Sequence, residues 1–302
     1  MDAARDEIVR TLSSDGGISV RALVATELVG EAVRRHRASP TAATALGRAL
    51  MGAVLLASGK KEGETVQLQF RGNGPLGPLT AIADSGGRVR GFASRPDVDG
   101  ALGGGPTDVG SAVGTGVLAV VRYHPSWREP YTGIVALESG EIAQDLARYL
   151  VDSEQTPSAM ALGVILGRDG SVESAGGFLV QALPGAAEEL VEILEENTRA
   201  NGTPSALIRG GLGADGIVDR LLEGLGSLAR HRSRPAFHCD CGHERAVQTA
   251  RLLGAEEIAQ VCARGDDLEI RCEFCREQYR VGTEELRALR SEANGGAADE
   301  RA

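Results

Sequence analysis

Aromatic side chains are scarce in this sequence, at 3% of 302 residues with a single Trp. Any core must therefore be built from Val, Leu, Ile and Ala. A basic surplus is also missing. With 32 Lys and Arg against 42 Asp and Glu, the net charge of −10 argues against nucleic acid as the main partner, because phosphate binding needs concentrated positive surface. No apolar leader follows Met1-Asp2-Ala3-Ala4-Arg5-Asp6-Glu7, so a cytosolic protein is expected. No uninterrupted apolar stretch is long enough to cross a bilayer. The nearest candidate, Thr41 to Ser58, is interrupted by Arg48 and reads as a buried helix, with Ser39 as N-cap, Pro40 at the first helical position and Gly59 after its end. Cysteine is rare as well, with five in the chain.

Glycine is abundant, and it marks the organisation. Up to residue 183 the pattern predicts an α+β domain with hairpin-connected sheets. Strands are expected at Ile18 to Leu23, Thr65 to Phe70, Leu79 to Ala83, Arg88 to Phe92, Val117 to Tyr123, Thr132 to Leu137, Ala161 to Leu166 and Gly177 to Leu183, with a helix at Glu141 to Val151. Residues 184–235 form a helical linker. Ala186 to Arg199 is amphipathic, and Gly202, Gly210, Gly211, Gly213, Gly216, Gly224 and Gly226 then break short apolar turns that need a surface to pack on. Residues 236–290 form a small cysteine-bearing domain, and 291–302 a polar, disordered tail.

Four of the five cysteines stand in two short pairs, Cys239-Asp240-Cys241 and Cys272-Glu273-Phe274-Cys275. Closely spaced cysteines in a cytosolic protein favour metal or redox chemistry over structural disulfides. Two sulfurs from each of two separated segments suit a tetrahedral zinc ion, which would then staple a domain too small to hold a large core. Structural zinc supplies about 10 to 16 kcal/mol of folding free energy in small zinc peptides. Disulfides closed within each pair would make loops worth roughly 2 kcal/mol each and join nothing distant. Crossed pairing between the segments would keep the staple, and spacing alone leaves both pairings open.

Further residues give these cysteines a family setting. Phe237-His238-Cys239-Asp240-Cys241, Glu244-Arg245, Leu253-Gly254 and Cys272-Glu273-Phe274-Cys275 with Tyr279 resemble the redox-switch domain of the heat shock protein 33 family of molecular chaperones. In the same order as that family's N-terminal motifs come Ser39-Pro40-Thr41-Ala42-Ala43, Gly47-Arg48, Gly72-Asn73-Gly74-Pro75-Leu76-Gly77, Arg90-Gly91, Pro130-Tyr131-Thr132-Gly133 and Ser153-Glu154-Gln155-Thr156-Pro157. The similarity spans nearly the whole chain. It implies a cytoplasmic, ATP-independent holdase rather than an enzyme. In the reduced, inactive form one zinc is bound by Cys239, Cys241, Cys272 and Cys275. By the same resemblance, oxidants are expected to convert the two pairs to disulfides, release zinc, unfold switch and linker, and expose a surface that binds unfolding client proteins. The resemblance further implies a homodimer when oxidised, and neither nucleic acid nor a membrane as partner. Leu190, Ile193, Leu194, Leu221, Leu222 and Leu225 are candidate client-binding residues, each of which also reads as ordinary helix core.

Other features carry less. Gly72, Gly74 and Gly77 fit G-x-G-x-x-G, but Pro78 and a strand follow where phosphate binding needs a helix start. His238 and His243 flank the first pair and could compete as ligands, while Cys262, between Val261 and Ala263, reads as a buried inert thiol. Two other functions fit the cysteines: a dithiol oxidoreductase using Cys272 and Cys275, and a zinc-ribbon adaptor with a purely structural zinc.

Overall fold

The computed structural model describes residues 5–98 and 108–289. The expected tail at 291–302 lies outside the described residues. The chain divides between His238 and Cys239 into two compact units.

In the first unit, β1 (Glu7–Leu12) and β2 (Ile18–Val24) form a hairpin, followed by helices α1 (Thr26–His36) and α2 (Pro40–Ala57). A meander of β3 (Thr65–Gly72), β4 (Leu79–Asp84) and β5 (Arg88–Ala93) comes next, then α3 (Val109–Val113), β6 (Gly116–Tyr123) and β7 (Tyr131–Leu137). Helix α4 (Ile142–Asp152) leads into the hairpin β8 (Ser158–Leu166) and β9 (Val172–Ala182). After these come α5 (Glu188–Ala200), α6 (Pro204–Arg209), α7 (Ala214–Leu221) and the short strands β10 (His231–Ser233) and β11 (Ala236–Phe237). One sheet has the order β10-β1-β2-β9-β8, the other β11-β5-β4-β3-β6-β7. The α+β architecture with hairpin-connected sheets is the one expected.

Helix α2 is the hub. Every residue except Pro40 and Arg48 is buried, so this helix, apolar and long enough to cross a membrane by composition, is a core helix. Arg48 is turned to an ion pair with Glu141. Pro40 takes the first helical turn as expected, but the Ser39 hydroxyl donates to the Val98 carbonyl instead of capping the helix. Leu46, Leu50 and Leu55 join one core with Leu23 of β2 and with Val66, Leu68 and Phe70 of β3. Those three alternate with half-buried residues, the period-two pattern of a strand with one face inward.

The first sheet is buried on both faces. Ile8, Leu23 and Leu179 face α2, whereas Val9, Val20, Ala22, Phe178 and Val180 form a second core with Leu194, Ile208, Ile217, Val218 and Leu221 of α5, α6 and α7. This explains why β2 and β9 read as near-continuous apolar runs. The glycine-broken linker therefore has a surface to pack on. Its closest approach is at the paired Gly163 and Gly176, where a Cβ would come within 2.3 Å of Ser205 Oγ and 2.1 Å of Ile208 Cδ1. Only bare backbone lets α6 lie so near the sheet. Past α7 the chain turns over the sheet edge, and β10 adds to β1 while β11 adds in parallel to β5.

The second unit holds α8 (His243–Ala250), α9 (Ala255–Arg264) and the hairpin of β12 (Leu268–Arg271) and β13 (Gln278–Val281), and residues 283–289 are helical. Its buried core is Ala246, Ala250, Ile258, Val281, Leu286 and Leu289. Such a core is too slight to hold a domain of this length alone.

Candidate metal centre

The two cysteine pairs reach one point from different kinds of backbone. Cys272 and Cys275 sit in the turn of the β12–β13 hairpin, closed by Cys272 N–H donating to the Glu277 carbonyl (2.9 Å) and Arg276 N–H to the Cys272 carbonyl (2.9 Å). Arg276 takes the left-handed conformation, φ 63°, that this knuckle requires. Cys239 and Cys241 lie two residues apart in irregular chain just before Gly242 begins α8.

All four Sγ atoms lie within 4.8 Å of one another. Cys239 Sγ is 3.8 Å from Cys272 Sγ, and Cys241 Sγ is 3.2 Å from Cys275 Sγ, both contacts linking the two segments. Four sulfurs placed about 2.3 Å from a tetrahedral zinc stand about 3.8 Å apart. The donor set and its spacing fit such an ion. Cys275 is buried and the other three cysteines are partly so.

Three of the thiols are shifted in different directions. Burial pushes Cys239 up to about 11, and burial also drives Cys275 well above the usual thiol range. Burial raises Cys241 too, but hydrogen bonds from the Tyr279 hydroxyl and the Cys275 thiol outweigh it and bring it below that range. Tyr279, on β13, lies 3.1 Å from Cys241 Sγ, and that hydrogen bond holds its phenol well above the ordinary value. A donor in this position steadies a thiolate whether or not metal is bound.

The remaining candidates lie elsewhere. His243 Nε2 is 2.8 Å from Glu285 Oε1, and the His238 N–H donates to the Val89 carbonyl within the first unit. Among the described residues, the cluster able to hold a metal consists of the four cysteines. Cys262 packs against the small core, its Sγ 3.9 Å from the Thr283 carbonyl. Of the apolar linker residues, Leu194, Leu221, Leu222 and Leu225 are buried, Leu190 is partly buried and Ile193 is exposed. Sequence reasoning missed the bond from Tyr279 to Cys241. Its only trace is a Tyr four residues after the second pair, at a hairpin position that needs the register to interpret.

The sequence model of the family described as Hsp33 protein matches residues 6–282. The chain is 40% identical over 285 residues to the 33 kDa chaperonin of Geobacter sulfurreducens, covering 94% of this chain and 95% of that one. It is 42% identical over 299 residues to the 33 kDa chaperonin of Synechococcus elongatus, covering 97% and 99%. The crystal structure of the 33 kDa chaperonin (heat shock protein 33 homolog) from Thermotoga maritima superposes with a TM-score of 0.90 at 33% identity, covering 96% of this chain and 99% of that one.

Proposed function

The chain belongs to the Hsp33 family of chaperones, and from that membership and the cysteine geometry we propose that it is a cytoplasmic, ATP-independent holdase activated by oxidation. The observation that carries the redox part is the meeting of four sulfurs within 4.8 Å in a unit whose buried apolar cluster, among the described residues, is six side chains.

In the reduced state Cys239, Cys241, Cys272 and Cys275 would hold one zinc ion, which supplies a cross-link between the segment before α8 and the β12–β13 hairpin. The protein's own part is then oxidation. Each of the pairs Cys239 with Cys241 and Cys272 with Cys275, thiolates while they hold the metal, gives two electrons to a peroxide, which takes two protons from solvent, so that one S–S bond and two waters form for each pair. Both disulfides are local, so the long-range link is lost and the small core is left to stand alone. Loss of the second unit's fold frees the chain that follows α7, and residues 184–235 then leave the first sheet. The face uncovered includes Val9, Val20, Ala22, Phe178 and Val180, with Leu194, Leu221, Leu222 and Leu225 exposed on the released segment. Both surfaces are apolar enough to hold unfolding clients, and self-association of the same surfaces accounts for a homodimer in the oxidised form. Residues 1–183 serve as the chaperone core, 184–235 as the linker and 236–290 as the switch.

Peroxide treatment of the reduced, zinc-loaded chain should release zinc to a chromogenic chelator and confer suppression of aggregation on a thermally unfolding client enzyme. Equal suppression by the reduced zinc form would defeat the switch.

A further inference from the structure

A cavity of about 520 Å³ lies where β1 and β2 run past the C-terminal end of α2. Its walls carry Arg10, Arg21, Ser19 and His231, and Leu228 and Ala229 close it from the linker side. The strand register explains the cluster. Arg10 stands directly opposite Arg21 on β2 and directly opposite His231 on β10, so three basic side chains occupy one cross-strand row on one face of the sheet. Like charges placed opposite each other destabilise a sheet, so the row needs compensation.

Little of that compensation is present. Arg10 Nη1 donates to the Ser58 carbonyl (2.5 Å) at the end of α2, and Arg21 Nη1 donates to the neutral Gln181 Oε1 (2.8 Å). The helix end offers about half a negative charge for two guanidinium groups. Neither arginine has a carboxylate within ion-pair distance among the described residues. The nearby Glu64 and Glu154 are engaged by Arg122 at 2.8 and 3.8 Å, and Glu154 also by Lys60 at 3.7 Å. Burial, and then the charge of Arg10, lower Arg21 to about 10 against a smaller opposing pull from the charge of Glu154. The site is also shaped for the guanidinium: a Cβ on Gly59 would stand 2.3 Å from Arg21 Nη2. The Ser19 hydroxyl, lining the same space, donates to nothing among the described residues.

We propose that this cavity binds a phosphate-type oxyanion, free or as the phosphoryl group of a small ester, held by Arg10 and Arg21 with Ser19 and His231 at its edge. Two planar guanidinium groups with most of their five N–H donors unused match the oxygens of such an anion, and a dianion neutralises the row. The volume is that of a small-ligand site.

The anion would also act on the linker. Leu228 N–H donates to the Leu12 carbonyl (2.9 Å) and the Thr11 hydroxyl to the Leu228 carbonyl (3.0 Å), so one wall of the cavity is a docked stretch of the linker. An anion that binds only while this wall is closed lowers the undocked population about 100-fold at a concentration 100 times its Kd. This consequence rests on the linker role proposed above, whereas the binding itself does not.

The test uses the reduced, metal-loaded full chain without oxidant or client. Inorganic phosphate, pyrophosphate and ribose 5-phosphate are titrated calorimetrically at constant ionic strength, with sodium chloride as the control, while hydrogen exchange is followed at the Leu228 amide. Saturable binding of one equivalent is expected for at least one of the three. A preference for the first two indicates a free anion, and for the third an ester. Arg10→Gln and Arg21→Gln should each weaken binding at least tenfold, while Arg71→Gln, on β3 outside the cavity, leaves it unchanged. If either arginine variant fails to fold, Ser19→Ala, which removes a smaller group from the same lining, should weaken binding in its place, and unaltered binding by it would count against the site. Absence of saturable binding, an equal effect of sodium chloride, or unaltered binding by a folded Arg21→Gln would each overturn it, whereas saturable binding with Leu228 exchange unchanged would overturn the coupling to the linker alone.

Discussion

Replacing Leu221 by Ala should switch the reduced protein partly on. Leu221, on the sheet-facing side of α7, is 1% exposed and packs with Val9, Val20 and Val218 in the core between linker and sheet. Truncating a buried Leu to Ala costs about 2 to 5 kcal/mol, transfer and cavity terms together. If the linker docks as a unit, that cost falls on its docking equilibrium. About 3 kcal/mol would raise the undocked population roughly 150-fold. The cysteine site is untouched, so zinc content should stay at one per chain. The assay is suppression of client aggregation by the reduced variant, paired with limited proteolysis between residues 200 and 230. Arg220→Ala, one position away on the exposed side of the same helix, should change stability by less than about 0.5 kcal/mol and leave both readouts alone. Two results would refute the reasoning in different places. Unchanged proteolysis would mean that linker docking does not depend on this core, and rapid proteolysis without suppression would mean that the uncovered face is not the client surface.

The glycine floor and the linker's ion pairs give two further tests. Gly163→Val should lift α6, since even a Cβ there meets Ser205 Oγ at 2.3 Å and Ser205 Cβ at 2.8 Å; overpacking of about 1 to 3 kcal/mol should lower the melting temperature, whereas Gly254→Ala, with nothing within 4 Å, should not. Equal melting of the two variants would contradict the close approach. For Asp215 of α7, burial raises the carboxyl, but hydrogen bonds from Arg230 and Arg232, the closest at 2.9 and 2.8 Å, bring it below the ordinary carboxylate range. A folded-state value below the unfolded one gives stability that is present above about pH 3.9 and is lost as pH falls through the lower folded value. Proteolytic protection of the linker should therefore differ between the unaltered chain and Asp215→Asn at neutral pH and converge in acid. A gap that stays constant with pH would rule this pair out as the source.

The sequence revealed elements whose signals are local. Pro40 and the apolar run after it marked α2, the alternation of Val66, Leu68 and Phe70 marked β3, and the two cysteine pairs marked the centre that the structure brings together. What it hid depends on distant partners. Ala25 at the N-cap of α1 offers no side-chain cap, because Asp6, just before β1, supplies one, its carboxylate accepting from Glu27 N–H (3.0 Å) and Leu28 N–H (2.7 Å). No spacing rule connects those residues. The linker's glycines signalled weak helices, and the compensating surface lies on β2 and β9, whose second buried face is visible only once the fold is known. The Arg10, Arg21 and His231 row likewise exists only in the register of three strands.

The central claim is that one chemical event at four sulfurs undoes structure in both units. Its most direct measurement is hydrogen exchange across the full chain before and after peroxide, with disulfides mapped by mass spectrometry on the same samples. The account predicts that forming Cys239–Cys241 and Cys272–Cys275 abolishes protection of β12 and β13 and of α5 to α7 together, while α2 and β3 stay protected. Disulfides formed with the α5 to α7 amides as protected as before would contradict it.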